Sequence, residues 1–367
     1  MRVLPYRAPS GSPADAMYQQ LLADQAAYMT AAEAAVTLTP ADHSDRSLNP
    51  LRPRTFGEVV GQEQAKELVQ AALRYSRKRD QPMAHMLLVG PAGTGKSTFA
   101  HVVASELGVH VYQLSAPVSH DTLLELREVM ADRDVLFVDE IHLQAIQERR
   151  GRESITAPEV LYGVLEDRVI ATGRGVLPFP AITMIGGTTD EGMLSDAFLS
   201  RFPLRPRLVE YTVDELAQIA RHNAKTLGAN LTPAAARIFG VAARGTPREV
   251  NNLVRNAILF SHVITVGGAR DVLRRTGIEE RDGLTADMAA LLRFVYRAGR
   301  HQTKDKHVRY RCSVTTIATG IGKSRDTKAV VLRIEPWLIR CGYLAIVPGS
   351  GRELTAAGVK RAKELSK

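Results

Sequence analysis

Met86-Leu-Leu-Val-Gly90-Pro-Ala-Gly93-Thr-Gly95-Lys96-Ser97-Thr98 decides the fold of this 367-residue chain. Four apolar residues, readable as a buried strand, run into a glycine-rich turn, and helical spacing (Phe99, Val102, Val103, Leu107) follows. Gly90 to Ser97 is the Walker A pattern, G-x-x-x-x-G-K-[ST]. Its glycines, Gly90, Gly93 and Gly95, let backbone N–H groups converge on phosphate oxygens without a Cβ in the way. Lys96 supplies a point charge for the β- and γ-phosphates, and the Ser97 hydroxyl can ligate Mg²⁺. The helix N-terminus that follows adds a positive field. The stretch reads as a nucleoside triphosphate site.

Outward from it, a second piece of the same chemistry stands about 40 residues downstream. Asp134-Val-Leu-Phe-Val-Asp139-Glu140 is a buried parallel strand with an acidic end, the Walker B pattern. Asp139 is expected in the Mg²⁺ shell and Glu140 to polarise the attacking water. Ala181 to Thr189 reads as another central strand that ends in two hydroxyls, and Leu204 to Tyr211 as a further strand. Between them, Gln144 to Pro158 is charged and irregular, an expected exposed loop, and Arg168 to Pro178 suits a Gly-turned hairpin. From Thr212 to His262 the spacing is helical, with capped starts at Thr212, Thr232-Pro and Thr246-Pro247-Arg248-Glu249. From Leu284, three helices (Met288–Val295, Val314–Ile321, Thr327–Cys341) precede two short extended runs around Pro348, the order of a winged helix. Residues 1–50 hold an Ala-rich stretch, Pro13 to Val36, expected to be a helix or partly ordered arm.

Composition sets the outer bounds. The chain is long enough for two or three domains, and 45% apolar residues is ordinary for packed globular protein. No apolar run reaches membrane-span length, and the N-terminus lacks a signal peptide's apolar core. Cys312 and Cys341 fit neither a disulfide framework nor a zinc site, so a cytoplasmic protein is expected. The net charge of +9 is segregated: residues 283–367 hold 17 Lys and Arg against 6 Asp and Glu, while residues 51–282 balance. That asymmetry points to a polyanion bound by the C-terminal part. The expected architecture is α/β: a P-loop parallel-sheet core (51–211), an all-helical lid (212–282) and a C-terminal winged-helix domain (283–367) behind the 1–50 extension.

In this order the motifs resemble the RuvB family of AAA+ Holliday junction branch migration motors. The likeness rests on Leu51-Arg-Pro-Arg-Thr with Gly61-Gln62, Asp139-Glu-Ile-His142, Gly187-Thr-Thr189, Ser200-Arg201-Phe202, Gly245-Thr-Pro-Arg248 and Trp337-Leu-Ile-Arg-Cys-Gly-Tyr343. The resemblance implies Leu51 and Arg52 against the adenosine and Val59 and Val60 beside the base. It puts Gly93, Lys96, Ser97 and Thr98 on the phosphates and Mg²⁺ of ATP. It makes Thr189 sensor 1, Arg248 sensor 2, and Tyr211 a lid-junction residue near the nucleotide. Arg201 would be an arginine finger reaching a neighbour's nucleotide, which implies a homo-oligomeric ring, a hexamer. Glu166 and Asp167 match a nucleotide-contacting Glu-Asp-Phe segment whose aromatic is Arg168 here.

Two departures stand out. The family's hairpin before sensor 1, which docks the junction-binding partner RuvA, is shorter here, and Gln144 to Pro158 is added sequence, which counts against that partner. In the wing Arg352 survives, but the companion basic position falls on Ile346, and Arg300 to Arg311 offers Lys306, Arg309 and Arg311 as phosphate contacts instead. Two other classes share these motifs. One is a clamp-loader or helicase-loader ATPase that uses ATP as a switch, the other a winged-helix regulator with ATP-gated assembly. A two-RecA-half helicase is suggested by Asp139-Glu-Ile-His142 but lacks a second half.

Overall fold

The computed structural model describes residues 49–144, 157–302, 308–323, 326–349 and 351–366. The Ala-rich arm, Lys306 and nearly all of the Gln144–Pro158 loop lie outside them. The described residues divide into two compact units, one of 68–88 and 100–206, the other of 49–67, 89–99 and 207–366.

The first unit is built on a four-stranded sheet in the order β1-β6-β3-β2. In chain order the elements as far as Leu199 are α1 (Glu63–Arg79), β1 (Met86–Val89), α2 (Lys96–Leu107), β2 (Val111–Ser115), α3 (His120–Val129), β3 (Val135–Asp139), α4 (Ala157–Glu166), the hairpin β4 (Val169–Thr172) and β5 (Gly175–Pro178), β6 (Thr183–Thr188) and the short α5 (Asp196–Leu199), of which residues 63–67, 89 and 96–99 are counted with the second unit. β2 and β3 run parallel from Val111↔Val135 to Ser115↔Asp139, and β3 and β6 from Val135↔Thr183 to Val138↔Gly186. Strands covered on both faces need apolar side chains at successive positions, not alternating ones. Val135-Leu-Phe-Val138 is accordingly fully buried, as is all of β6. Because the strands are parallel, Asp139 and Thr188 emerge at the same edge of the sheet.

The stretch from Leu204 to Tyr211 is not the strand expected. It touches β1 at two parallel bridges, Met86↔Leu204 and Val89↔Arg207. Leu87 N–H donates to Leu204 O and Leu208 N–H to Val89 O, both at 2.8 Å, and Pro206 between them has no N–H with which to continue a ladder. Gln144, expected in an exposed loop, is fully buried. Its amide accepts from Val118 N–H at 2.7 Å and donates to Val118 O at 3.0 Å, a side chain standing in for a strand partner.

The second unit carries α6 (Val213–Thr226), β7 (Asn230–Leu231), α7 (Pro233–Ala242), α8 (Pro247–Ile258), β8 (Val263–Ile264) and α9 (Val266–Thr276). Leu216, Phe239, Val250, Val254 and Val272 form their common core. Thr212 and Glu215 close the expected capping box on α6, and Thr232 caps α7. Thr246 does not cap α8 with its side chain: the hydroxyl donates back to Ala243 O at 3.3 Å, spent on the turn that enters the helix.

The same unit continues through α10 (Ala286–Ala298), β9 (Arg300–Gln302), β10 (Val308–Cys312), α11 (Val314–Gly320), α12 (Thr327–Ala329), a π-helical turn (Val330–Ile334), α13 (Glu335–Arg340), β11 (Leu344–Val347), β12 (Gly351–Leu354) and α14 (Ala356–Glu364). The third helix, expected unbroken to Cys341, changes register because Pro336 cannot donate to the carbonyl four residues back. The wing is larger than expected: β9 and β10 join β11 and β12 in a four-stranded sheet, β11-β12-β10-β9. Tyr310 of β10 stacks on Tyr296 of α10, 4.9 Å between ring centres, and turns the basic segment's apolar face inward.

Candidate nucleotide-binding and catalytic site

In the second unit the glycine-rich loop is shaped by what lies behind it. A Cβ on Gly90 would come within 2.5 Å of the Leu208 carbonyl oxygen, so no other residue fits there. Gly93, at φ +80°, lies against Thr246 and Arg248, whose Cβ atoms are each 3.3 Å from where its own would be. The loop that would hold phosphates thus touches the first turn of α8. Lys96 is 6% exposed, with Nζ 2.9 Å from Gly90 O and 3.2 Å from Pro91 O. Ser97 and Thr98 follow in the first turn of α2, where helix amides and the helix dipole favour anions.

Beside this loop lies a cavity of about 660 Å³. Its wall includes Leu51, Arg52, Val60, Gly95, Thr98 and Tyr211, so the residues expected around the nucleoside share one cavity. Burial lowers the Arg52 pKa, because taking the guanidinium out of water disfavours its charged form. Burial pushes the Tyr211 phenol up to about 12; a hydrogen bond with Gln62 opposes this and the Glu215 charge adds to it. Gln62 donates to Val209 O at 2.6 Å and accepts from Val209 N–H at 3.0 Å, pinning residues 61–62 to the segment before Tyr211. Sequence reasoning quoted Gln62 but gave it no role, since a glutamine between turn residues has no spacing that betrays a tertiary partner.

In the first unit the ends of β3 and β6 form a polar cluster. Glu140 has a left-handed backbone, φ +48°, which re-aims its side chain away from the strand direction. Its N–H donates to Asp139 Oδ1 at 3.0 Å. The Thr189 hydroxyl donates to Glu140 Oε2 at 3.1 Å. His142 Nδ1 lies 3.1 Å from Thr188 Oγ1 and 3.4 Å from Glu140 Oε2, and Thr188 Oγ1 accepts from Asp190 N–H at 3.0 Å. His142 and Thr188 belong to motifs quoted from the sequence but were assigned no task there.

Arg201 follows α5 and is held from three sides. Its guanidinium lies 3.8 Å over the Tyr162 ring, Nη2 is 2.9 Å from Glu166 Oε1, and Nη1 donates to Ala197 O. Glu166, expected at a nucleotide, is here the partner of Arg201. Among the described residues no group of three His, Cys, Asp or Glu gathers to hold a metal ion. The residues expected at Mg²⁺, the Ser97 hydroxyl of the second unit and the Asp139 carboxylate of the first, are each hard oxygen donors of the kind that ion takes.

On the C-terminal sheet the expected DNA contacts differ in how their charge is spent. Arg352 donates from Nε to Glu335 Oε2 at 2.8 Å, and Glu335 is 1% exposed. Arg311 Nε donates to Glu353 Oε2 at 2.9 Å. Arg309 is half exposed and only 3.7 Å from Glu353, a weak pair.

Residues 51–208 match the family model described as the Holliday junction DNA helicase RuvB P-loop domain. Among solved structures, the Thermotoga maritima RuvB Holliday junction branch migration motor is similar, with 28% identity and a TM-score of 0.69 over 85% of this chain and 98% of that one. Two mutants of that protein, one Ala-to-Ser and one Pro-to-Gly, match with the same identity and coverage and TM-scores of 0.71. No helix among the described residues is long and apolar enough to cross a membrane. Residues 51–208 therefore match a RuvB-type P-loop domain, and the solved RuvB motor is similar to this chain over 85% of its length.

Proposed function

We propose that this chain is an ATP-hydrolysing ring motor that moves duplex DNA at four-way junctions; the similar Thermotoga protein is named a Holliday junction branch migration motor. The observation that carries the reading is the contact of Gly93 with Thr246 and Arg248. A phosphate-binding loop that rests on the lid's first turn transmits the presence or loss of a γ-phosphate to the helices that follow.

In this reading the cavity beside Leu51, Arg52, Val60 and Tyr211 takes the nucleoside, and the amides of Gly90 to Ser97 take the phosphates. Lys96 leaves the loop carbonyls for the β- and γ-phosphate oxygens, and Arg248 approaches the γ-phosphate from the lid. Ser97 and Asp139 would hold Mg²⁺, which supplies charge neutralisation across those oxygens. Glu140 orients a water for in-line attack on the γ-phosphorus and accepts its proton as the bond to the β-phosphate oxygen breaks. Thr189 reports which of the two states is present.

Arg201 completes the neighbour's site, where a cation placed in trans is worth roughly 10³–10⁵ in rate. That requirement makes a hexameric ring the working form. DNA is gripped through phosphates by the β9–β12 sheet, with Arg309 as its contact; Lys306, expected to share the task, lies outside the described residues. Arg311 and Arg352 brace the sheet through Glu353 and Glu335. The four-residue strands of the β4–β5 hairpin give a junction-binding partner little to dock on, so the proposal stands on this chain and DNA in the cytoplasm. ATPase rates with four-way junction, duplex and single-stranded DNA test it, for wild type, Glu140→Gln and Arg201→Ala. Junction stimulation, lost in both variants, is expected. Wild-type turnover by Arg201→Ala overturns the shared site, and turnover indifferent to DNA overturns the motor.

A further inference from the structure

We infer that His142 is a positioning residue for ATP hydrolysis: it ties the end of β6 to the Glu140 carboxylate and fixes where that carboxylate points. The inference rests on the hydrolysis proposed above and deepens it. Glu140 is a third exposed, and three rotatable bonds separate its carboxylate from a backbone conformation that L residues rarely adopt. Such a side chain points one way only if something holds it. Two groups lie against the same oxygen, Oε2: the Thr189 hydroxyl, which donates to it at 3.1 Å, and His142 Nδ1, which approaches to 3.4 Å. Oε1 is then the oxygen offered to water.

The two tethers are not equivalent. Thr189 follows the last residue of β6 and is the group expected to leave Glu140 for a γ-phosphate. His142 is better anchored. Its side chain is 12% exposed, and along the chain it is flanked by two fully buried residues, Ile141 and Gln144, the latter locked on Val118 by two hydrogen bonds. Its Nδ1 also lies 3.1 Å from Thr188 Oγ1, itself held by Asp190 N–H. A carboxylate only accepts, so the tautomer that serves Glu140 carries its proton on Nδ1. When Thr189 turns to the nucleotide, His142 keeps the carboxylate from swinging away, and the turn to hydrolysis keeps its geometry.

The test is steady-state ATPase of the full chain, with nucleotide affinity and melting measured alongside. His142→Leu is expected to lower kcat about 10–100-fold, the size of a misplaced reacting group, with KM and nucleotide Kd unchanged. His142→Asn puts Nδ2 where Nδ1 was and is expected to restore kcat to within a few-fold of wild type. Thr188→Val removes the same link from the other side and lowers kcat likewise, which keeps the test alive if the leucine variant melts early. Wild-type kcat in both His142→Leu and Thr188→Val, with Glu140→Gln inactive, overturns the inference and spares the hydrolysis reading. So does a loss confined to Kd, or no rescue by asparagine. Full turnover by Glu140→Gln removes the reading and the inference together.

Discussion

Replacing Arg361 by methionine removes the cation from a buried ion pair of the second unit. Arg361 Nε donates to Asp282 Oδ2 at 2.7 Å, and Nη2 reaches Asp282 Oδ1 at 3.1 Å and Glu279 Oε2 at 3.2 Å. Both side chains of the Asp282 pair are 8% exposed. Without the guanidinium, Asp282 keeps the Tyr343 hydroxyl at 3.0 Å, one neutral donor for a buried charge. Breaking a buried pair from one side costs about 3–5 kcal/mol, against about 0–1 kcal/mol for an exposed pair such as Arg281–Glu364. Native-state hydrogen exchange reads the cost where it falls, which a single melting point of a multidomain chain does not. Amides of α14 are expected to exchange about a hundred- to several-thousand-fold faster in Arg361→Met, and no more than about fivefold faster in Arg281→Ala. Asp282→Asn in the same chain removes the stranded charge and is expected to recover most of the loss. Acceleration below about tenfold in Arg361→Met would refute the reasoning, because the pair would then behave as surface charge.

Gly90→Ala forces a methyl against the Leu208 carbonyl and is expected to cost about 1–3 kcal/mol and abolish nucleotide binding, read by titration with a fluorescent nucleotide. Arg309→Ala should weaken duplex binding and reduce the salt slope by about one, while Arg352→Ala, which strands buried Glu335, should lower the melting temperature. In alkaline titration followed by tyrosinate absorbance, Tyr211 and Tyr343 should ionise last, since both phenols are pushed up to about 12, Tyr343 by burial and the Asp282 carboxylate. Between their unfolded value near 10 and about 12 the unfolded chain holds fewer protons, so their contribution to stability is complete below about pH 10 and falls as pH rises toward 12.

What could be read in advance follows from how locally each feature is encoded. β1 and β3 announce themselves because each holds four successive apolar residues and a glycine loop or carboxylate pair ends each run. The capping box at Thr212 is equally local. His142 and Thr188 acquire their task only when β3 and β6 pair, across 46 residues of chain. Gln144 looks like loop because its downstream neighbours are charged, yet one amide fits Val118 and buries it. The β9–β10 hairpin did carry a period of two, with Tyr310 and Cys312 on one face and Arg309 and Arg311 on the other. Its charge invited a reading as phosphate contacts, and the strands went unread. α14, which begins at a capping Thr355, was missed because a nine-residue amphipathic stretch at a chain end is ambiguous until Arg361 meets Asp282.

The account's central claim is that ATP cleavage here moves DNA. The direct measurement is conversion of a synthetic four-way junction with homologous arms into two duplex products by the purified chain. Wild type is expected to convert it only with ATP and Mg²⁺, and Lys96→Ala and Glu140→Gln not at all. ATP hydrolysis by wild type that leaves the junction whole would contradict the claim.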